Sequence, residues 1–251
     1  MSTPFLSIII PAYNEERRLP VTLEQASGFL QSQPFEIEVL VVENGSTDNT
    51  LQIAENFASQ HPHFHVIKEA AKGKGLAVRR GMLEAHGEYR FMCDADFSMP
   101  IEQIPRFLPP ALNGVDIAIA SREAPGAIRY NEPHHRHFVG RVFNSMIRLL
   151  ALPSLHDTQC GFKCFRAKVA KDVFRRQTLT GWSFDVEVLY IARKLGYSIQ
   201  ELAIPWYFNP NSKIDVWEDS FKMAMDLFQI RWNDLRGVYS RQQLAEDQLN
   251  Q

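Results

Sequence analysis

No stretch of this chain approaches the roughly 18 uninterrupted apolar residues that a membrane-crossing helix needs. The N-terminus, MSTPFLSIII, has neither a charged leader nor a small-residue cleavage site, so no secretory signal is expected either. Charge of one sign is also missing. The 27 Lys and Arg stand against 29 Asp and Glu, a net charge of -2, which excludes a global pull towards nucleic acid or an anionic membrane and confines any basic site to a local cluster. Cysteine is sparse: Cys93, Cys160 and Cys164 form no C-x-x-C pair, and Cys93 falls in an apolar run where a thiol behaves as a small hydrophobe. These absences point to a reduced, cytoplasmic chain, with no internal repeat and no low-complexity tract.

What is present is an average globular composition, 45% hydrophobic and 22% charged over 251 residues, enough for one large α/β domain or a domain with an appendage. Apolar, β-rich runs at Leu6 to Ile10, Ile37 to Val42, Phe64 to Ile67 and Tyr89 to Cys93 alternate with helical patterns at Thr22 to Gln31, Thr50 to Ser59 and Leu76 to Ala85. That alternation predicts a mostly parallel, twisted, doubly wound sheet flanked by helices. Further strands are expected at Asp116 to Ser121, Gly161 to Phe165 and Tyr197 to Trp206. Helices are expected at Ile101 to Leu112 (interrupted by prolines), Phe138 to Leu152, Lys168 to Arg175 and Phe184 to Leu195. Glu123 to His137 reads as a long polar loop, and Val216 to Tyr239 as an amphipathic helix with Trp217, Phe221, Met225, Phe228 and Trp232 along one face.

Tyr89 to Phe97, YRFMCDADF, is a buried-strand pattern that breaks into Asp94-Ala95-Asp96. Two carboxylates one residue apart at the carboxyl edge of a sheet can hold a hard divalent cation that keeps positions open for water and phosphate oxygens. The same tripeptide is also an ordinary acidic turn. Three other loops leave strands at the same edge: PAYNEE after the first, ENGSTD after the second, and KGKG after the third. Singly they read as a Pro-stopped turn, a helix cap and a flexible loop; converging on one ligand, they suit a nucleoside diphosphate. Glu43, Asp48 and Tyr13 offer hydrogen bonds and a flat face for a base, and Lys72, Lys74 and a cation on Asp94 and Asp96 offer charge for phosphates.

The segments SIIIPAYNEE, VVENGSTDNT, KGKGLAVRRGM, DAD, Ser121-Arg122, DTQCGFKCF and GWSFDVEVLY, spread over about residues 5 to 239, resemble the inverting family 2 glycosyltransferases of GT-A fold. Within that family they are most similar to the dolichyl- or polyprenyl-phosphate glucosyltransferases. The resemblance implies a GT-A domain over residues 1–215, with a nucleotide-sugar half at 1–121 and an acceptor half at 122–215, followed by the amphipathic helix and tail at 216–251. It implies that Pro11, Tyr13, Glu15 and Glu43 line the nucleoside pocket, that Lys74 approaches the diphosphate, and that Asp94 and Asp96, with Ala95 between them, bind Mg²⁺ or Mn²⁺. Gln159 and the strand Gly161-Phe162-Lys163 would face the donor sugar or acceptor phosphate, Trp182 is a further substrate-binding candidate, and Asp185 and Glu187 would carry a base or hold the sugar. Asn44 departs from the family, which usually has an aspartate there.

A hydroxyl acceptor would need a carboxylate base such as Asp185 or Glu187, with Asp96 on the metal. A phosphate monoester, with a second pKa of about 6, is already ionised near neutrality and needs cations instead; Arg122, Arg129, Arg136 and Lys163 are the candidates. The expected reaction moves glucose from UDP-glucose onto a polyprenyl or dolichyl phosphate with inversion. The alternatives are GDP-mannose as donor, a soluble hydroxyl acceptor, or a non-catalytic nucleotide-sugar-binding module. A cytoplasmic protein is expected, with peripheral contact at the inner membrane face and a homo-oligomer both left open by the sequence, and with no nucleic-acid partner.

Overall fold

Apolar runs bounded by turn residues form the strands β1 (Leu6–Ala12), β2 (Ile37–Glu43), β3 (Phe64–Lys68), β4 (Tyr89–Cys93), β5 (Ile117–Ser121), β6 (Ile128–Tyr130), β7 (Phe162–Arg166), β8 (Ile199–Ala203) and β9 (Pro205–Tyr207). The helices are α1 (Leu19–Ser32), α2 (Thr50–Gln60), α3 (Lys74–Glu84), α4 (His134–Leu150), α5 (Ala167–Phe174), α6 (Phe184–Lys194) and α7 (Val216–Leu235), with a 3₁₀ helix at Ile101–Phe107. This computed structural model describes residues 3–209 and 216–240, without the side chains of 134–139, 142, 143 and 216–221.

A seven-stranded sheet runs in the order β3-β2-β1-β4-β7-β5-β8. Every pair in it is parallel except those made by β7, which lies antiparallel between β4 and β5. Successive side chains of a strand point to opposite faces, and in β1 both faces are buried. Ile9 joins Val42, Val78, Phe165 and Phe184 in the layer under α3, α5 and α6. Ile8 and Ile10 join Leu23, Phe29 and Phe107 in the layer under α1 and the 3₁₀ helix. A strand covered on both sides explains why the runs are continuously apolar rather than alternating.

Three expectations change in detail. The first strand does not stop at Pro11 but continues to Ala12, paired to β2 as far as Glu43. Pairing with β4 has already ended at Ile9 and Met92. The Ala12 carbonyl accepts from Asn44 N on the β2 side, so Pro11 turns its missing donor to the opposite side, where no strand asks for it. The single strand expected over Tyr197 to Trp206 divides at the buried Ile204: β8 extends the large sheet, and β9 pairs in parallel with β6 in a separate two-stranded sheet. The long loop expected over Glu123 to His137 therefore contains β6 and the start of α4. Three residues are too short for a periodicity to register, and their partner lies far along the chain.

In α7, Leu227 and Ile230 are buried, whereas Met225, Phe228, Trp232 and Leu235 are exposed. The described part of the expected apolar stripe thus faces away from the core; Trp217 and Phe221 lie outside the described side chains. Among the described residues no helix is long and apolar enough to cross a membrane.

Candidate active site

Parallel strands deliver their carboxyl ends to one edge, and there the loops after β1, β2, β3 and β4 surround a cleft of about 510 Å³. Ala12, Tyr13 and Glu15 come from the first, Asn44 from the second, Lys72 and Lys74 from the third, and Asp94 to Asp96 from the fourth. Thr180, Gly181 and Trp182, just before α6, close the opposite wall, and Lys222 of α7 reaches its rim.

The first two loops are stitched together. Asn14 N donates to Ser46 Oγ at 3.0 Å, and Thr47 N donates to Asn14 Oδ1 at 2.8 Å. Asp48 accepts from Thr50 N at 3.0 Å and from Glu16 N at 3.2 Å. Burial opposes the charge of Asp48, but these hydrogen bonds, led by Thr50, outweigh it and hold its pKa below the ordinary value. Glu43 is buried and accepts from Ser46 N at 2.5 Å. Glu43 and Asp48, expected at the base, thus brace the loops in this structure and do not line the cleft.

The charged floor is built from Lys74 and the two aspartates. Lys74 Nζ lies 2.5 Å from Asp94 Oδ1 and 5.1 Å from the Trp182 ring centroid. Burial alone would lower its pKa, but Asp94, then Asp185 and Asp96, raise it above the ordinary lysine value. Asp96 accepts from Ser98 N at 3.0 Å and has Arg18 Nη1 at 3.7 Å. Arg18 is itself forked onto Glu15 at 2.6 and 2.8 Å. Lys72 sits 5.3 Å from the centroid of Tyr13. The antiparallel register of β7, which pairs Cys93 with Phe162, sets Gly161 against Asp94. A Cβ at Gly161 would fall 2.1 Å from Asp94 Oδ2, so only glycine lets that carboxylate stay where it stands.

Of the remaining candidates beyond Asp96, none whose side chain is described lines the cleft. Lys163 is fully buried, paired to Asp185 and donating to Cys160 O at 2.6 Å. Asp185 is 3% exposed, and burial first, against the opposing pull of Lys163 and Lys74, raises its pKa. Glu187 is 0% exposed and accepts from Thr178 N and Oγ1, Leu179 N and Tyr239 OH at 2.5 to 2.9 Å. Residues two apart on a helix point about 200° from one another, so this pair was bound to separate. Arg122 forks onto buried Asp157 at 2.7 and 2.9 Å. Arg129 is paired with Glu132 at 2.7 Å and with Glu123. Both arginines lie over Trp206, at 5.4 and 5.8 Å from its ring centroid. Gln159 N donates to Asp157 Oδ1 at 3.3 Å, and the side chain of Arg136, in α4, lies outside the described residues.

Arg18, Thr180 and Lys222 were not anticipated, nor was the packing of Gly161, expected near the sugar or acceptor, against Asp94. Arg18 had a signal, the i,i+3 spacing from Glu15; the others depend on contacts between distant segments.

The sequence profile described as Glycosyl transferase family 2 matches residues 7–174. The chain belongs to this family. Its family 2 relatives include proteins named dolichyl-phosphate beta-glucosyltransferase. One from Drosophila melanogaster is 35% identical over 249 residues, covering 93% of this chain and 76% of the relative. The Homo sapiens protein of that name is 31% identical over 258 residues, covering 96% and 79%. Among solved structures, the Mycobacterium tuberculosis glucosyl-3-phosphoglycerate synthase superposes with a TM-score of 0.64 at 18% identity, over 90% of this chain and 79% of that one. The Rubrobacter xylanophilus mannosyl-3-phosphoglycerate synthase gives 0.67 at 16%, over 93% and 74%. These likenesses establish the GT-A fold. The mycobacterial enzyme has also been crystallised with Mn²⁺ and UDP-glucose.

The family 2 chain presents a donor set that fits such a cation. Asp94 and Asp96 have side chains 31% and 18% exposed at the cleft. Among the described residues no cluster of three or more His, Cys, Asp or Glu forms a protein-only cage. Two carboxylates with open positions suit Mg²⁺ or Mn²⁺, which is commonly held by one or two carboxylates and shared with substrate phosphates.

Proposed function

We propose that this glycosyltransferase moves glucose from UDP-glucose to a polyprenyl or dolichyl phosphate with inversion, in the presence of Mg²⁺ or Mn²⁺. The names of its relatives, matched over more than nine-tenths of the chain, support the glucosyl donor and the lipid phosphate. The observation that carries the acceptor class is the withdrawal of Asp185 and Glu187, the two carboxylates from which a hydroxyl acceptor would draw its base. One is buried against Lys163 and the other is saturated with donors. An ionised phosphate monoester needs no base: its oxygen forms the bond to C1 of glucose as the bond from C1 to the UDP oxygen breaks.

In this reading Tyr13 and Pro11 bear on the nucleoside, while Lys72 and Lys74 balance the diphosphate. Asp94 and Asp96 would hold the cation, whose charge, when bound, stabilises the departing diphosphate. Arg122 and Arg129 keep their carboxylate partners. With Arg18 on Glu15 and Lys74 on Asp94, Lys222, which has no carboxylate partner among the described residues, is the cleft-lining cation left for the acceptor phosphate. The exposed Met225, Phe228, Trp232 and Leu235 of α7 supply an apolar and aromatic surface of the interfacial type for peripheral membrane contact.

The test is transfer of labelled glucose from UDP-glucose into organic-extractable polyprenyl phosphate, with GDP-mannose in parallel, with Mg²⁺ or Mn²⁺ and with chelator. Metal-dependent label in the lipid phase, abolished in Asp96→Ala, is expected. Label from GDP-mannose alone, or hydrolysis of the donor without lipid label, sinks the proposal.

A further inference from the structure

Asn44 stands at the end of β2, 4% exposed, its backbone N tied to Ala12 O at 3.0 Å. Its side chain does not reach for solvent. The Oδ1 accepts from Gly73 N at 2.9 Å, and the Nδ2 donates to Ala71 O. The partners fix the orientation of the amide, because a peptide N–H can only donate and a carbonyl can only accept. The segment between β3 and α3 is therefore clipped to the sheet edge on both sides of Lys72. Its far side is equally confined. Gly73 has φ of +149°, and a Cβ there would lie 2.5 Å from Thr180 O; Gly75 N donates to Thr180 O at 2.9 Å. Lys72 over Tyr13 and Lys74 on Asp94 are thus carried by a backbone held between Asn44 and Thr180.

We infer that Asn44 is a positioning residue: its amide clips Ala71 and Gly73 to the end of β2 and so aims Lys72 and Lys74 at a nucleoside diphosphate. An aspartate, usual in the family at this position, could not make this clip while ionised: it would still accept from Gly73 N, but would turn a second acceptor towards the Ala71 carbonyl and leave both unsatisfied. The ligand named here rests on the nucleotide-sugar reading; the clip itself does not.

Two variants, Asn44→Asp and Asn44→Ala, are compared with wild type by hydrogen–deuterium exchange of the peptide spanning residues 70–76 and by binding of UDP and of uridine. Near pH 7.5 both variants are expected to expose the loop amides and to bind UDP about tenfold more weakly, the loss typical of an unsatisfied buried group, with uridine binding unchanged. Near pH 5 they part. The introduced carboxyl, raised in pKa by burial and by the facing carbonyl, regains a proton and hence a donor, so N44D recovers loop protection and UDP affinity relative to wild type at that pH, and N44A does not. Loop exchange equal to wild type in both variants overturns the inference. So do equal losses for UDP and uridine, which would put Asn44 on the nucleoside. Wild type that fails to bind UDP defeats the nucleotide reading, and the exchange data still decide the clip.

Discussion

Gly161→Ala puts a methyl group against the carboxylate that the cleft depends on. The added Cβ would lie 2.1 Å from Asp94 Oδ2 and 2.3 Å from Cγ, about 0.9 Å inside the 3.0 Å that real contacts of this kind respect. The backbone offers little relief, because Asp94 N is bonded to Gly161 O at 3.1 Å and β4 and β7 are in register up to Cys93 and Phe162. The carboxylate must therefore swing into the cleft, away from Lys74 Nζ at 2.5 Å. Its side chain is 31% exposed, so there is room for the swing and the fold should lose little. The chemistry should lose much more: a displacement of about 1 Å in a positioning group lowers turnover by roughly 10²-fold, or about 2.7 kcal/mol of barrier. The assay pairs glucosyl transfer with Mn²⁺ binding followed by electron paramagnetic resonance in the presence of UDP, and with a thermal melt. Expected are a melting temperature within a few degrees of wild type, turnover down about a hundredfold, and weakened Mn²⁺ binding. Wild-type turnover and Mn²⁺ affinity would refute the assignment of Asp94 to the cation, and a collapsed melt would show that Gly161 serves the fold instead.

Asp157→Asn tests the interior ion pair. Burial would raise the Asp157 pKa, but Arg122, by charge and by hydrogen bonds, carries it down to about 2 from 3.8. A depressed pKa contributes stability that is present above the unfolded value and disappears as pH falls through the folded one. The shift itself is worth about 2 kcal/mol, and breaking a buried pair about 3–5 kcal/mol. The urea midpoint of the variant should therefore lie well below wild type at pH 7, with the gap narrowing between about pH 4 and pH 2; a gap that is constant down the pH range would contradict the pairing. Tyr239→Phe removes the donor at 2.7 Å from Glu187 and should cost about 1–2 kcal/mol. UDP affinity should hold, because Glu187 keeps Thr178 and Leu179. Unaltered stability would mean that the turn after α7 is not docked through this bond.

The order of strands and helices in the first hundred residues was readable from the local pattern of the sequence alone, and with it the convergence of four loops. Apolar runs long enough for strands, separated by helical patterns, leave the chain little choice but parallel βα units, and parallel units bring every carboxyl end to one edge. Tyr13, Lys72, Lys74, Asp94 and Asp96 meet in the cleft for that reason. The state of each charge was not readable, because it depends on partners supplied by distant segments. Lys163 meets Asp185 across 22 residues and Arg122 meets Asp157 across 35, and only packing shows that these cations are already neutralised. The antiparallel insertion of β7, which lets Asp94 stay where it stands only because residue 161 is glycine, is a matter of register. So is the pairing of β6 with β9, whose strands are each three residues long. Local pattern determined which segments become strands and where their ends collect; tertiary contact decided which of the collected side chains remain free to meet a ligand, since burial and pairing are properties of neighbours in space that adjacent residues do not encode.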